Sequence, residues 1–273
     1  MAVPTVARWT NRPHRKSRRE GRRFLRRSLL CLASLLSASL ALAPLAWGAP
    51  TVTFTTKALP IPGFPGTGNI LGAGAAVEAQ FTIAGTEYGG FPSPLTELNV
   101  YAPDGVKVAS TGFATCAQST LEAGGASACP KKSSAGPPGV ALGVVAFGGE
   151  RVPEQVSIQE FFAPAGLFFY AEGKSPASFQ IIEKAHWVMA GPPFGPELMA
   201  EVPLVETVPG ADDAAVTAIK AKVGAAYRKG GKTVSYITLP KKCPRGGFPV
   251  KAELKFLSGE VVTVTYADPC PKR

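Results

Sequence analysis

The stretch FPVKAELKFLSGEVVTVTYADPC, residues 248–270, decides the fold class. Apolar residues alternate with charged ones over 248–256, a turn follows at 257–259, and apolar residues then alternate with threonines over 262–266. Alternation with a period of two on both sides of a short glycine turn is typical of a hairpin with one buried face. This stretch therefore predicts antiparallel sheet.

The residues before it predict a second hairpin. Alternate positions from Ile219 to Tyr227 are apolar, Gly230-Gly231 form a two-residue turn, and Val234 and Tyr236 follow on the return. With this turn, Tyr227 faces Val234 across the hairpin, so that one face is apolar throughout.

The same alternation continues upstream, and helix signals are nearly absent. The best helix signal is a short turn after Ser119, while glycine and proline punctuate the whole chain. Further strands are predicted at 77–83, 97–101, 140–147, 155–162, 166–171, 178–183, 185–190 and 198–206.

We expect an all-β fold, an antiparallel β-sandwich built either as one unit or as two packed β modules. The predicted segments are an export signal at residues 1–48, a larger β-sandwich module at 49–208 and a smaller antiparallel β module at 209–273. The motif Gly-Gly-Phe-Pro occurs at 89–92 and again at 246–249. Either duplication of a β unit or shared hairpin chemistry explains this echo.

The first 48 residues have the organisation of an export signal. Residues 1–28 carry ten basic side chains and one acidic one, an apolar run covers 29–45, and the small residues Ala46 and Gly48 follow. This order is that of a cleavable secretory signal. Arg26-Arg27 also resembles a twin-arginine signal, so both export routes stay open. An uncleaved leader would be the only contact with a membrane.

The charge of the chain changes once this leader is set aside. The full chain carries a net charge of +10, but residues 49–273 hold 19 basic and 18 acidic side chains. The net positive charge therefore comes mainly from the export signal, and we expect no nucleic-acid partner. Residues 49–213 are acidic and residues 214–273 basic. The two parts either neutralise each other or present the basic part to an anionic cell-envelope polymer.

Four cysteines lie beyond the leader, at positions 116, 129, 243 and 270. An even number of cysteines in an exported chain indicates disulfides and a secreted or cell-surface location. Proximity in sequence favours the pairs Cys116–Cys129 and Cys243–Cys270 among the three possible pairings. A zinc site is disfavoured because no Cys-x-x-Cys is present, and we expect no metal.

Three motifs carry a family resemblance. These are FPSPL at 91–95, FGGERVPE at 147–154 and KCPRGGFP at 242–249. In these motifs the chain resembles uncharacterised exported β-rich proteins of high-GC bacteria. The resemblance implies export and a β-sandwich-like body, and it transfers no functional residues.

No catalytic or cofactor motif stands out. His186 is the only histidine beyond the leader and no nucleophile motif accompanies it, so that a structural role is expected. The glycines at 66, 68 and 72 do not match a dinucleotide fingerprint, and we expect no cofactor. Five strand glutamates could supply a carboxylate pair for a glycoside hydrolase, although solvated strand faces are the expected role. They are Glu150, Glu154, Glu160, Glu172 and Glu183.

Aromatic residues offer the last candidate site. They could stack on sugars, as in a carbohydrate-binding module, or fill the core between two sheets. They are Tyr88, Phe91, Phe161, Phe162, Phe168, Phe169, Tyr170 and Trp187. The function predicted from the sequence is a structural or binding role at the cell envelope or outside the cell, without enzymatic activity. The alternatives are a two-glutamate glycoside hydrolase and a carbohydrate-binding module.

Overall fold

The computed structural model describes residues 48–68, 71–109, 111–147, 149–206 and 209–270. The predicted export signal lies outside these residues, apart from Gly48. The described part of the chain forms fifteen strands, one α-helix and two 3-10 turns.

Short connections join most of these elements. The strands are β1 Thr51–Leu59, β2 Gly74–Ala84, β3 Leu95–Pro103, β4 Lys107–Val108, β5 Gly139–Phe147, β6 Glu150–Ala163, β7 Gly166–Gly173, β8 Phe179–Met189, β9 Phe194–Glu201, β10 Ala215–Val223, β11 Ala226–Lys229, β12 Lys232–Ser235, β13 Ile237–Thr238, β14 Phe248–Phe256 and β15 Val261–Asp268. The helix is α1 Gln118–Gly124, and the 3-10 turns are Ala126–Ala128 and Lys131–Ser133.

Thirteen strands form a single antiparallel sheet. Eleven of them follow in the order β1-β2-β10-β5-β6-β7-β8-β9-β3-β14-β15, and β13 and β4 extend from the start of β2. The hairpin β11–β12 stands apart. Both segments suggested as modules contribute to the large sheet, because β10 lies between β2 and β5 while β14 pairs with β3.

The large sheet curls until its edge strands β1 and β15 touch. The rings of Phe54 on β1 and Tyr266 on β15 meet edge to face at 5.6 Å. The Tyr266 hydroxyl also accepts the backbone N–H of Thr56 and lies 2.8 Å from its side-chain hydroxyl. Within the described residues no backbone ladder joins these two strands. The predicted sandwich would pack the faces of two sheets against each other. In the structure, the side chains that pack together lie instead on the inner surface of one curled sheet.

Two apolar clusters fill much of that inner surface. One includes Phe81, Leu95 and Leu254, from the β1, β2, β3 and β14 region. The other includes Phe162 and Leu167 from β6 and β7. Alternating strand positions supply both clusters, because successive side chains point to opposite faces of a sheet.

A second layer covers the outer face of β6 and β7. Phe168 and Tyr170 point outward there and pack with Cys116, Leu121 and Cys129, which belong to the segment 116–133. This segment contains α1, as the helix signal after Ser119 predicted. Its disulfide joins Cys116 to Cys129, and the second disulfide joins Cys243 to Cys270. Both bridges pair the cysteines that are closest in sequence.

Both predicted hairpins form. In β14–β15, Leu254 pairs with Val262, and in β11–β12, Tyr227 pairs with Val234 as predicted. The prediction of one continuous strand from 219 to 227 is wrong, because β10 ends before Gly224.

The break at Gly224 has a steric cause. Gly224 has φ +152°, and a Cβ at this position would lie 2.3 Å from the Cα of Ala76. Close approach to β2 therefore requires a glycine here, and the strand ends at it. A smaller correction concerns the two strands predicted at 178–183 and 185–190. In the structure they form one strand, β8.

Candidate binding cavity

The two inner clusters leave an unfilled cavity of about 420 Å³ inside the curled sheet. All eleven curled strands contribute side chains to its wall. Small residues at inner positions leave this space open, since larger side chains there would fill it. They are Ala79, Ala141, Gly143, Ala171, Ala200 and Ala221. A volume of this size lies within the range of pockets that enclose small molecules.

Apolar side chains form most of the cavity wall. Leu98, Val100, Ile181, Leu198 and Trp187 line the cavity, and each is only half-buried although it faces the inside of the sheet. Their residual exposure is to the cavity, because nothing in the described chain fills it. The cavity therefore presents apolar surface that a ligand could cover.

Trp187 is held in place by its polar edge. Its indole N–H donates a hydrogen bond of 2.8 Å to the hydroxyl of Tyr236. Burial raises the pKa of Tyr236 to about 12, and the hydrogen bond from Trp187 acts in the opposite direction. This pair connects β8 to the segment before β13 and leaves the indole ring against the cavity.

Glu183 is an ionisable group inside the cavity. It lies on β8 in phase with Ile181, Ala185 and Trp187, so that the alternation of the strand directs it inward. No hydrogen bond or ion pair joins it to another described residue. Burial raises the pKa of Glu183 to about 7. Near neutral pH a considerable fraction of this carboxyl is therefore protonated.

Glu154 also lines the cavity, but the protein satisfies it. Its carboxylate accepts hydrogen bonds from the backbone N–H groups of Ser175 at 3.2 Å and Ala177 at 3.0 Å. It is 2% exposed and fastens the loop between β7 and β8. Its role is therefore structural: the carboxylate serves this loop rather than a ligand.

Glu160 points inward on the same strand, among the residues of the second cluster. It is 1% exposed, and one of its oxygens accepts the backbone N–H of Lys222 at 3.2 Å while the other has no partner among the described residues. Burial raises the pKa of Glu160 to about 8, against the effect of its backbone hydrogen bonds and of the Lys222 charge.

The five glutamates singled out from the sequence thus divide by face. The expectation of solvated strand faces is wrong for Glu154, Glu160 and Glu183, which point inward. It holds for Glu150, which is exposed, and for Glu172 on the outer face, whose carboxylate lies 3.2 Å from Lys174. The sequence contained the signal, because the inward glutamates are in phase with the apolar residues of their own strands.

His186 lies on the outer face of β8. It is exposed, and it forms no hydrogen bond with another described residue. The alternation of the strand turns it away from Glu183 and Trp187, which point into the cavity. The structure therefore does not bring His186 together with the inward carboxylates.

The eight aromatic residues are all buried or half-buried. Phe162, Phe169 and Trp187 face inward, whereas Phe168 and Tyr170 lie under the segment 116–133, with Phe161 beside them. Tyr88 and Phe91 pack instead against the guanidinium of Arg151, at 4.8 and 5.7 Å from the ring centres. Packing within the protein thus accounts for these rings except those of Phe169 and Trp187, which border the cavity.

Two features are absent from the described residues. No group of three His, Cys, Asp or Glu side chains is placed to hold a metal ion there. Among the helices of the same residues, none has the length and apolar character needed to cross a bilayer.

Comparison with known proteins gave no match, whether to a family model, a curated protein or a solved structure. Of the resemblance suggested by the three sequence motifs, the structure supports the β-rich body. The chain is therefore a disulfide-bonded, β-rich protein with one large antiparallel sheet.

Proposed function

We propose that this protein binds a small apolar or amphiphilic molecule inside its curled sheet, and that it does so outside the cytoplasm. The two disulfides support the location, because such bridges persist in oxidising surroundings. Export to the cell envelope or beyond, as the leader predicts, is the corresponding route.

The cavity is the observation that carries the proposal. Its apolar wall is exposed only to the interior of the sheet, so that a ligand of similar polarity would remove that surface from water. Each Å² of apolar surface covered contributes about 25 cal/mol before the costs of association. The sheet already holds the space open, so little rearrangement is needed on binding.

The same wall disfavours a carbohydrate ligand. Sugar hydroxyls need hydrogen-bond partners when they leave water. Glu154 is occupied by the loop between β7 and β8, and the Trp187 N–H by Tyr236, which leaves Glu183 in the interior and Asp268 at the edge of the cavity as the available carboxylates. The carbohydrate alternatives and an anionic envelope polymer stay predictions.

Cavity filling tests the proposed function directly. Ala221→Phe would place a ring in the cavity, whereas Ala218→Phe adds the same ring to the opposite face of β10 as a matched control. The neutral apolar dye N-phenyl-1-naphthylamine should bind the native protein saturably. It should also quench Trp187, the only tryptophan in residues 49–273. Ala221→Phe should weaken dye binding about 10-fold or more, since it occupies the same volume.

Circular dichroism would verify that both variants retain the native sheet. The proposal fails if the native protein does not bind the dye. It also fails if the two phenylalanine variants weaken binding equally, because the dye would then not occupy the cavity.

A further inference from the structure

We propose that the ligand of this cavity is an amphiphile with a single alkyl chain and an anionic headgroup, a carboxylate or a phosphate. The chain would lie in the cavity and the headgroup against basic residues at its rim. This inference rests on the proposed function and specifies the ligand class. It combines the position of the rim, the charges on it and the character of the interior.

The cavity reaches the surface where β1 and β15 end. Lys57 and Pro269 both line the cavity and are exposed, and Pro240, Phe248 and Asp268 line it beside them. We call this region the rim. The Cys243–Cys270 disulfide ties the two chain segments that follow Pro240 and Pro269, so the rim is covalently braced.

Basic side chains surround the rim. Lys57 borders the cavity but lies on the outer face of β1, out of phase with Phe54, and Lys241 and Lys242 directly follow Pro240 in the sequence. The backbone N–H of Gly72 donates to the carbonyl of Pro240 at 3.0 Å. A Cβ on Gly72 would lie 3.2 Å from the Lys241 side chain. This contact places Lys241 beside the cavity-lining segment at residues 71–72. The exposed Arg245 lies in the same disulfide-tied loop.

These cations have no ionic partners among the described residues, unlike most basic residues on β10 and β14. Lys220 and Lys222 pair with Glu78 at 3.4 and 3.8 Å. Lys251 pairs with Glu253 at 3.0 Å. The acids near the rim are Asp268, the exposed Asp104, which follows the cavity-lining Pro103, and Glu78, which lies opposite Lys57 in the β1–β2 ladder, so that the four cations outnumber the three acids by one.

The interior determines which end of an amphiphile would enter. An anionic headgroup taken inside would lose its hydration among apolar side chains and would meet the buried carboxylate of Glu154, and both effects are unfavourable. An alkyl chain meets mainly apolar wall. The chain therefore enters and the anion stays at the rim, where water and the cations solvate it.

A series of ligands with the same dodecyl chain tests the headgroup. Dodecanoate and dodecyl phosphate are compared with dodecanol and dodecyltrimethylammonium by displacement of N-phenyl-1-naphthylamine from the native protein. The ionic ligands are used below their micelle concentrations and dodecanol below its solubility limit. The anions should bind about 10-fold more tightly than dodecanol at low salt. The difference should shrink at high salt, because rim charges are screened.

A charge-neutralised rim provides the matched variant. Lys241→Gln, Lys242→Gln and Arg245→Gln together should abolish the preference for the anions without changing the affinity for the neutral dye, since none of the three lines the cavity. Replacing Lys131, Lys132 and Lys184, which are exposed elsewhere, by Gln removes the same charge and should leave the preference intact.

The outcomes separate this inference from the proposed function. If the dye binds but all headgroups are equal, or the ammonium is preferred, the cavity binds apolar molecules and the anionic headgroup is refuted. The inference is also refuted if the Lys131, Lys132 and Lys184 variant loses the preference as completely as the rim variant. If the dye itself does not bind, the proposed function fails first.

Discussion

Glu183 makes the cavity sensitive to pH. Its carboxyl has no protein partner among the described residues, and burial already raises its pKa to about 7 in the empty cavity. An apolar ligand would displace water around it and raise that pKa further, because the charged form loses solvation. We therefore expect ligand affinity to be greatest when Glu183 is neutral, below about pH 7, and to fall as pH rises through that value.

Glu183→Gln tests this coupling. The native protein should bind N-phenyl-1-naphthylamine about 10-fold more weakly well above pH 7 than well below it, which corresponds to one unit of pKa change. The variant should bind with little pH dependence. Glu172→Gln on the outer face is the control and should behave like the native protein. The other inward carboxyls are Glu154 and Glu160, while Asp268 and Lys57 lie at the rim, so a pH dependence that persists in Glu183→Gln would assign the effect to one of them.

Part of the candidate site could be predicted from single residues. The phase of Glu183 and Trp187 within an alternating strand places both on the apolar face, and that phase is legible in the sequence. The cavity was not predictable in the same way, since it depends on where inner residues such as Ala171 and Ala200 meet across strands. Alternation indicates which face a residue occupies but not whether opposing side chains fill the space.

At the scale of elements, the segment 116–133 forms a cover on β6 and β7. Consecutive aromatic residues such as Phe168 and Phe169 must point to opposite faces, and this cover receives the outward ones. Leu121 of α1 is fully buried at the centre of the contact. The helix is only seven residues long and has no side-chain cap. Its stability therefore comes from this packing and from the disulfide rather than from helix propensity.

Leu121→Ala should lower the free energy of unfolding by about 2 to 4 kcal/mol, as expected for a cavity under a buried leucine. Denaturant unfolding followed by far-UV circular dichroism measures the loss. Ser127→Ala at an exposed position of the same segment should change stability by less than about 0.5 kcal/mol. Equal stability of native and Leu121→Ala proteins would mean that the cover contributes nothing to the fold.

Individual elements were predicted better than their assembly. The hairpins β11–β12 and β14–β15 follow from alternation and turn residues, which are local signals. The pairing of β10 with β2, or of β14 with β3, joins residues more than a hundred positions apart, and no local pattern specifies such partners. The break at Gly224 also depends on the approach of another strand, at Ala76, so the sequence alone suggested continuity.

At the scale of the whole molecule, the acidic and basic parts of the chain lie in one sheet. Lys220 from the basic part pairs with Glu78 from the acidic part, and Lys255 pairs with Glu97 at 2.7 Å. Mutual neutralisation therefore accounts for part of the charge asymmetry. Of the basic residues without an ion pair in the described part of 214–273, Lys241, Lys242 and Arg245 belong to the proposed headgroup site, and Arg228, Lys229 and Lys232 lie on the hairpin β11–β12.

The two disulfides should differ in their effect on function. Cys243→Ser with Cys270→Ser removes the brace of the rim, whereas Cys116→Ser with Cys129→Ser loosens the outer cover. Each double variant should lose about 3 kcal/mol of unfolding free energy by loop entropy. Only the first should also alter dye affinity, by a few-fold. Titration of both variants at a temperature where they remain folded measures this, and an equal change in affinity for the two would contradict it.

The contact between β1 and β15 has a consequence for the range of molecules that could be accommodated. The curled sheet is closed at this contact through the side chain of Tyr266, which meets Thr56, and not through a backbone ladder. The space inside the sheet can therefore widen here without breaking a hydrogen bond between paired strands. Elsewhere around the ring, widening would require two strands to part along a whole ladder. A bulkier ligand could thus be accommodated by separation of β1 from β15 alone, while the hydrogen-bonded strand pairs keep their register.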